Sequence, residues 1–307
     1  MKAFLCSLSN SKYPILFLLI LGCIISCKSN KNVEKEEWIA LFNGKDLTGW
    51  DIKISGLDLN DNYKETFVVE DSMLRISYDN YKSFDNKFGH IYYNKPFSYY
   101  KLSFDYRFTG EQTKGGAHWN VRNSGIMLHS QSAASNEYHQ NFPVSVELQL
   151  LGGLSDAKDR PTANVCTPGT AVVMGDTINY KHCISSGSKT YFGDQWVHAE
   201  AVVMGGESMI FIVEKDTVFQ FKSPQIGVTK PNTYYKGENW ENWGMTTELW
   251  SNKAGDIIPE GYIALQAESH PIDFKNIKLL DLCGCMDKKA KNYKSYYVKD
   301  KPDSCIY

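Results

Sequence analysis

The feature that most limits the fold is a series of short alternating segments bounded by turn residues, with no long amphipathic helix between them. "KLSFDYRFTG" sets Leu102, Phe104, Tyr106 and Phe108 on one side and Ser103, Asp105 and Arg107 on the other. A period of two marks a half-buried strand. "TFVVEDSMLRISY" reads as two strands around a Glu-Asp-Ser turn, and "QWVHAEAVVMGG" with "SMIFIVEKDTVFQF" as a hairpin joined at Gly205-Gly206. "SGIMLHSQ", "GYIALQAES" and "DFKNIKLLDL" add further strands. Many short strands with few helices predict an all-β chain, a two-sheet antiparallel β-sandwich.

Three of these strands share a second property. In "FPVSVELQLLGG", Val144, Val146, Leu148 and Leu150 form an apolar face, while Glu147 and Gln149 stand on the other, roughly 7 Å apart. "SGIMLHSQ" opposes Ile126 and Leu128 to Gly125, Met127 and His129. "GYIALQAES" opposes Ile263, Leu265 and Ala267 to Ala264, Gln266 and Glu268. If the three strands share a sheet, their polar faces line one concave surface, where a jelly roll binds ligands.

The ends of the chain have a different character. Lys2 and Lys12 precede or flank an apolar run, "YPILFLLILGCII", too short for a confident membrane span and suited to a secretory signal. The run ends in "IISCKSN", a small residue before a Cys, which has the form of a bacterial lipobox. Residues 1–27 are therefore expected to be a lipoprotein signal peptide, with Cys27 lipidated, 28–36 a flexible tether, and the protein held on the membrane of the cell envelope. The alternatives are Cys23 as the lipid site, or a signal cleaved nearby with no lipid. The formal net charge of −2 becomes −4 once residues 1–27, with two lysines and no acidic residue, are removed. With no basic patch, the composition argues against a nucleic-acid partner. Five cysteines lie beyond Cys27. Cys166 with Cys183, and Cys285 with Cys305, are the expected disulfides, leaving Cys283 over. Residues 227–260 read as a long polar-aromatic insertion, and 283–307 as a small Cys-containing appendage.

"WIALFNGKDLTGW", "NSGIMLHS", "VELQLLGG", "GDQWVHAEAVV" and "GYIALQAESHPIDFKNIKL" resemble, in order, the blocks of the bacterial 3-keto-disaccharide hydrolase family, also described as 3-keto-glucoside lyase/hydratase domains. The resemblance spans about residues 37–282. It implies a concanavalin A-like jelly roll that cleaves glycosides already oxidised at C3 of one sugar. A C3 ketone acidifies the C2 proton. A base removes it, the enolate expels the C1 substituent, and water adds to the unsaturated sugar. That route needs a base near C2, a donor for the C3 oxygen and an acid for the leaving group.

Glu147 is the first candidate base and Glu268 the second; a structural carboxylate satisfied by Arg or backbone is the alternative for Glu147. His129 is a candidate acid, enolate donor or metal ligand. Gln149 and Gln266 are candidate sugar-binding amides. His118, Arg122 and Asn123 lie in or beside a loop that Gly115 and Gly116 let bend toward a ligand. Arg160, in "RPTANVCTPGT", is expected to reach substrate from a loop over the site. Trp119, Trp240, Trp243 and Trp250 are candidate sugar platforms. No cofactor is expected with certainty; a divalent metal ion could stabilise an enolate if His118, His129, Glu147, Glu268 and His270 converge. The competing reading is a non-catalytic carbohydrate-binding jelly roll on the cell envelope, with Glu147 and Gln149 as hydroxyl acceptors.

Overall fold

Two antiparallel sheets face each other across one apolar core in a computed structural model that describes residues 35–228 and 240–307. One sheet is built around Tyr99–Phe108, flanked by Val197–Met204 on one side and Ile272–Asp281 on the other. The other sheet has seven strands in the spatial order Cys183–Ile184, Asn164–Cys166, Val146–Leu151, Asn123–Ser130, Gly261–Ala267, Gly89–Phe97, Trp50–Ile54. Alternation in sequence becomes alternation of the face turned to the core. Leu102, Phe104, Tyr106 and Phe108 all face the core, as do Ile126, Leu128, Val146, Leu148, Leu150, Ile263 and Leu265 from the opposing sheet. Each such side chain contributes about 1.5–3 kcal/mol by leaving water. The two-sheet antiparallel sandwich expected from periodicity, and the jelly roll that the family resemblance implies, are therefore present.

The turns also follow their residues. Phe67–Glu70 and Met73–Ile76 are joined at Asp71 and Ser72, both left-handed (φ 50° and 60°). That is the two-residue geometry that suits the twist of a hairpin. Gly205 (φ 54°) turns Val197–Met204 into Ser208–Val213. On the outer face of the larger sheet, Asp273 is fully buried and ion-paired to both Arg75 and Arg107, which compensates its loss of hydration.

Both expected disulfides form, Cys166–Cys183 and Cys285–Cys305, and Cys283 is a buried free thiol. The tail is more ordered than its lack of period suggested. Cys283–Gly284 pairs in parallel with Lys299–Asp300, and Cys283 packs with Tyr99, Leu280 and Leu282 of the sandwich. The described residues 35–228 and 240–307 form one compact unit. Cys27, the 1–27 segment and residues 28–34 of the tether lie outside the described residues, as does 229–239 of the aromatic insertion. Among the described residues no helix is long and apolar enough to cross a membrane.

Candidate functional site

The outer face of the seven-stranded sheet carries the polar residues of three strands. Asn123–Ser130 lies in the middle, antiparallel to Val146–Leu151 on one side and Gly261–Ala267 on the other. Its residues Gly125 and Met127 stand opposite Gln149 and Glu147, and its Ile126 opposite Leu265. The Glu147/Gln149 and Gln266/Glu268 strands are thus not neighbours; one strand separates them. Gly125 closes that gap. A Cβ there would lie 2.3 Å from Glu147 Oε1 and 2.7 Å from its Cγ. The absence of a side chain is what lets Glu147 fold across the middle strand.

Glu147 and Glu268 are 5% and 3% exposed, and neither carboxylate accepts a hydrogen bond among the described residues. Burial raises the Glu147 pKa to about 8. Glu268 is raised well above the ordinary carboxylate range, first by burial and then by the charge of Glu147, with Arg160 pulling the other way. Low dielectric and like charge both favour keeping a proton on this pair. Arg160 is fixed by its backbone acceptors: Nη1 donates to the carbonyls of Gly152 (2.6 Å) and Arg122 (3.0 Å). Burial lowers its pKa. Asn123 Nδ2 donates to the Trp119 carbonyl at 3.2 Å, while its buried Oδ1 has no partner among the described residues. Gln149 Oε1 accepts from Asn164 Nδ2 at 3.0 Å.

These groups form one side of a cavity of about 530 Å³. His118, Trp119, Asn123, Glu147, Gln149, Arg160, Trp243 and Glu268, eight of the candidate residues singled out in the sequence, all line it. Phe142, Leu154 and His182 line it too and were missed. Phe142 and Leu154 are apolar residues that nothing in the local pattern marks as part of a site, and nothing in the sequence marks His182 beyond its place beside Cys183. The cavity also has the Cys166–Cys183 disulfide in its wall, because Glu147 pairs with Cys166, and Cys166 with Cys183, across adjacent strands. Trp243 is supplied by the insertion. Its carbonyl accepts from Asn141 N (2.8 Å), and Gly244 follows at φ 75°, where a Cβ would lie 2.0 Å from the His139 carbonyl oxygen.

Other expectations fall elsewhere, and Trp240, Trp250 and His270 do not line the cavity. His129 is not on the outer face. A register shift between Tyr262 and Ala264 inserts one residue into the His129 strand, and His129 takes φ 47° there. The alternation slips, so the ring lies 6.1 Å from the core residue Tyr100, with Nδ1 and Nε2 against the carbonyls of Ile258 (2.9 Å) and Ser98 (3.3 Å). Burial lowers its pKa to about 4. Arg122 turns outward to an ion pair with Asp194 and does not line the cavity. Gln266 is buried, with its Oε1 unpartnered among the described residues, and lies outside the cavity lining. Residues 160–170 are not simply a loop over the site, since Asn164–Cys166 is a strand of the sheet. Among the described residues no three His, Cys, Asp or Glu side chains converge as a metal site.

Solved structures of similar fold include a "putative glycosyl hydrolase" from Parabacteroides distasonis, 19% identical, covering 81% of this chain and 98% of that one with a TM-score of 0.44. Another is a Bacillus subtilis protein of unknown function with a galectin-like fold, 10% identical, covering 80% and 97% with a TM-score of 0.46. No curated protein matches the sequence. Residues 37–280 match the model of the 3-keto-alpha-glucoside-1,2-lyase-like domain, most of the chain and all the strands that build the cavity. The protein belongs to the 3-keto-alpha-glucoside-1,2-lyase-like domain family.

Proposed function

We propose that this protein cleaves 3-keto-glycosides by elimination and hydration, with Glu147 as the base and Glu268 as the acid. The observation that carries this reading is a pair of buried carboxyls, without hydrogen-bond partners among the described residues, at one cavity, both with raised pKa. A base near pKa 8 is matched to a weak carbon acid at neutral pH, and a carboxyl held protonated can donate. In the first half-reaction Glu147 takes the C2 proton and the electron pair moves onto the C3 oxygen. Arg160 lies on the same cavity and supplies positive charge for that oxygen. The enolate then collapses to a C1–C2 double bond, the C1–O bond breaks, and Glu268 protonates the departing oxygen. In the second half, water adds hydroxyl to C1 while C2 regains a proton. In this reading Asn123 Oδ1 and the Gln149 amide, both on the cavity lining, hold sugar hydroxyls.

The purified protein is incubated with a 3-keto disaccharide and with its unoxidised parent, and release of the C1 substituent is followed. Release from the keto form alone, lost in Glu147→Gln, is the expected result. Release from neither overturns the enzyme reading, and full activity in Glu147→Gln rejects this base. The rival is a carbohydrate-binding jelly roll using the same amides and aromatic rings; it predicts that sugar binds but is not turned over. The same proposal includes a lipid on Cys27 that holds the protein to the bacterial cell envelope. Metabolic labelling with a radioactive fatty acid, absent in Cys27→Ala, tests it.

A further inference from the structure

The cavity has two chemically different ends, and the Val146–Leu151 strand runs from one to the other. At the Leu151 end are Asn123, Arg160 and Glu268, all with polar groups that can reach a ligand. At the Val146 end are Phe142, His182, Trp243 and the Cys166–Cys183 disulfide. There, Phe142 and Trp243 meet edge-on with centroids 5.0 Å apart, and His182 lies 5.1 Å from Trp243. Trp240 backs this group at 5.1 Å from Trp243. On its other side Phe142 continues through Phe88 (5.0 Å) to Trp119, which stacks on Phe88 at 6.1 Å and 9° between planes. An aromatic wall therefore runs along the cavity and closes around its Val146 end.

We infer that the Val146 end is a leaving-group subsite built for a flat aromatic aglycone, not for a second sugar. The inference rests on the proposed cleavage reaction, because it assigns the Leu151 end to the keto sugar. A pyranose ring carries hydroxyls around its whole rim, and each one moved out of water needs a partner. Among the described side chains at this end, apart from Glu147, which the proposed reaction already uses as its base, the His182 ring and the Trp243 indole N–H are the groups able to supply one. Burial holds His182 neutral, with its pKa lowered to about 4, so it brings no charge to strengthen such a bond. A phenyl ring asks for no partners and gains edge and face contacts with Phe142, Trp243 and the disulfide sulfurs. The phenolic oxygen at the glycosidic bond would then fall between the two ends, beside the carboxyl pair.

Affinity for unoxidised glycosides tests this without any turnover. Calorimetry or tryptophan fluorescence compares both anomers of phenyl glucoside with methyl glucoside, cellobiose and maltose. The expected result is a phenyl glucoside bound about fivefold to tenfold more tightly than any of the other three, the range one aromatic contact supplies. The advantage shrinks toward one in Trp243→Leu, which keeps an apolar side chain for folding but removes the ring. Phe142→Leu is the second variant should Trp243→Leu not fold. Equal affinities, a disaccharide bound more tightly, no measurable phenyl glucoside binding, or an advantage unchanged in the variants overturns the inference. Turnover of the corresponding 3-keto compounds is scored separately. Failure there removes the cleavage reaction, whereas the affinity comparison alone decides the aromatic subsite.

Discussion

Replacing Glu147 with glutamine probes the electrostatics of the carboxyl pair without any substrate. In the unfolded chain a glutamate ionises near its ordinary value of 4.5; in the folded protein burial moves Glu147 to about 8. Between those values the folded state holds a proton that the unfolded state has lost. Stability therefore falls as pH rises through this window, by about 1.4 kcal/mol per pH unit for each such group. Glu268 is raised as well and acts with the same sign. Glutamine has nearly the same shape as glutamate and no charge to desolvate, so one of the two contributions disappears. Relative to the parent, Glu147→Gln should gain about 3 kcal/mol on going from pH 5 to pH 7. Urea unfolding at pH 5, 6, 7 and 8 with the disulfides intact reads this directly. Parallel pH dependence in the two proteins would refute the reasoning, because it would mean that Glu147 ionises in the folded state much as it does in water.

Gly125→Ala should leave the fold near-native yet abolish turnover of a 3-keto glycoside, since the new Cβ claims the space of the Glu147 carboxyl; a variant with unaltered kcat/KM contradicts the placement of that side chain. Turnover itself should rise with pH up to about 8 as Glu147 loses its proton, and a pH–rate profile flat from pH 6 to 9 argues against this base. Asp273→Asn leaves Arg75 and Arg107 facing a neutral side chain at a fully buried position. It should cost about 3–5 kcal/mol in denaturant unfolding, and a loss under 1 kcal/mol would show that the pairs add little. Cys166→Ser with Cys183→Ser opens a loop with a sequence separation of 17. It should cost about 3 kcal/mol and weaken sugar binding, because the disulfide is part of the cavity wall; unchanged affinity would separate the bond from the site.

Much of this protein follows from the local pattern. Period-two alternation assigned Leu102 through Phe108 and Val146 through Leu150 to the core and put Glu147 and Gln149 on the opposite face. It works because one peptide unit reverses the side-chain direction, wherever the strand sits in a sheet. The same rule failed at His129, where one inserted residue and a left-handed backbone turned the ring from the outer face toward the core. Nothing in "SGIMLHS" announces that bulge, because the register shift belongs to the pairing with Tyr262 and Ala264. Spatial order was likewise a tertiary decision. The matching Glu/Gln spacing of the Glu147 and Glu268 strands suited direct neighbours, yet a third strand lies between them, and the carboxyls come together across Gly125. Their raised pKa, the aromatic wall joining Trp119 to Trp243, and the roles of His182 and Phe142 all depend on which distant segments exclude water from one spot. The amino-acid pattern set the two faces of each strand, whereas packing chose which faces meet, how dry the meeting place is, and so which carboxyl can act as a base.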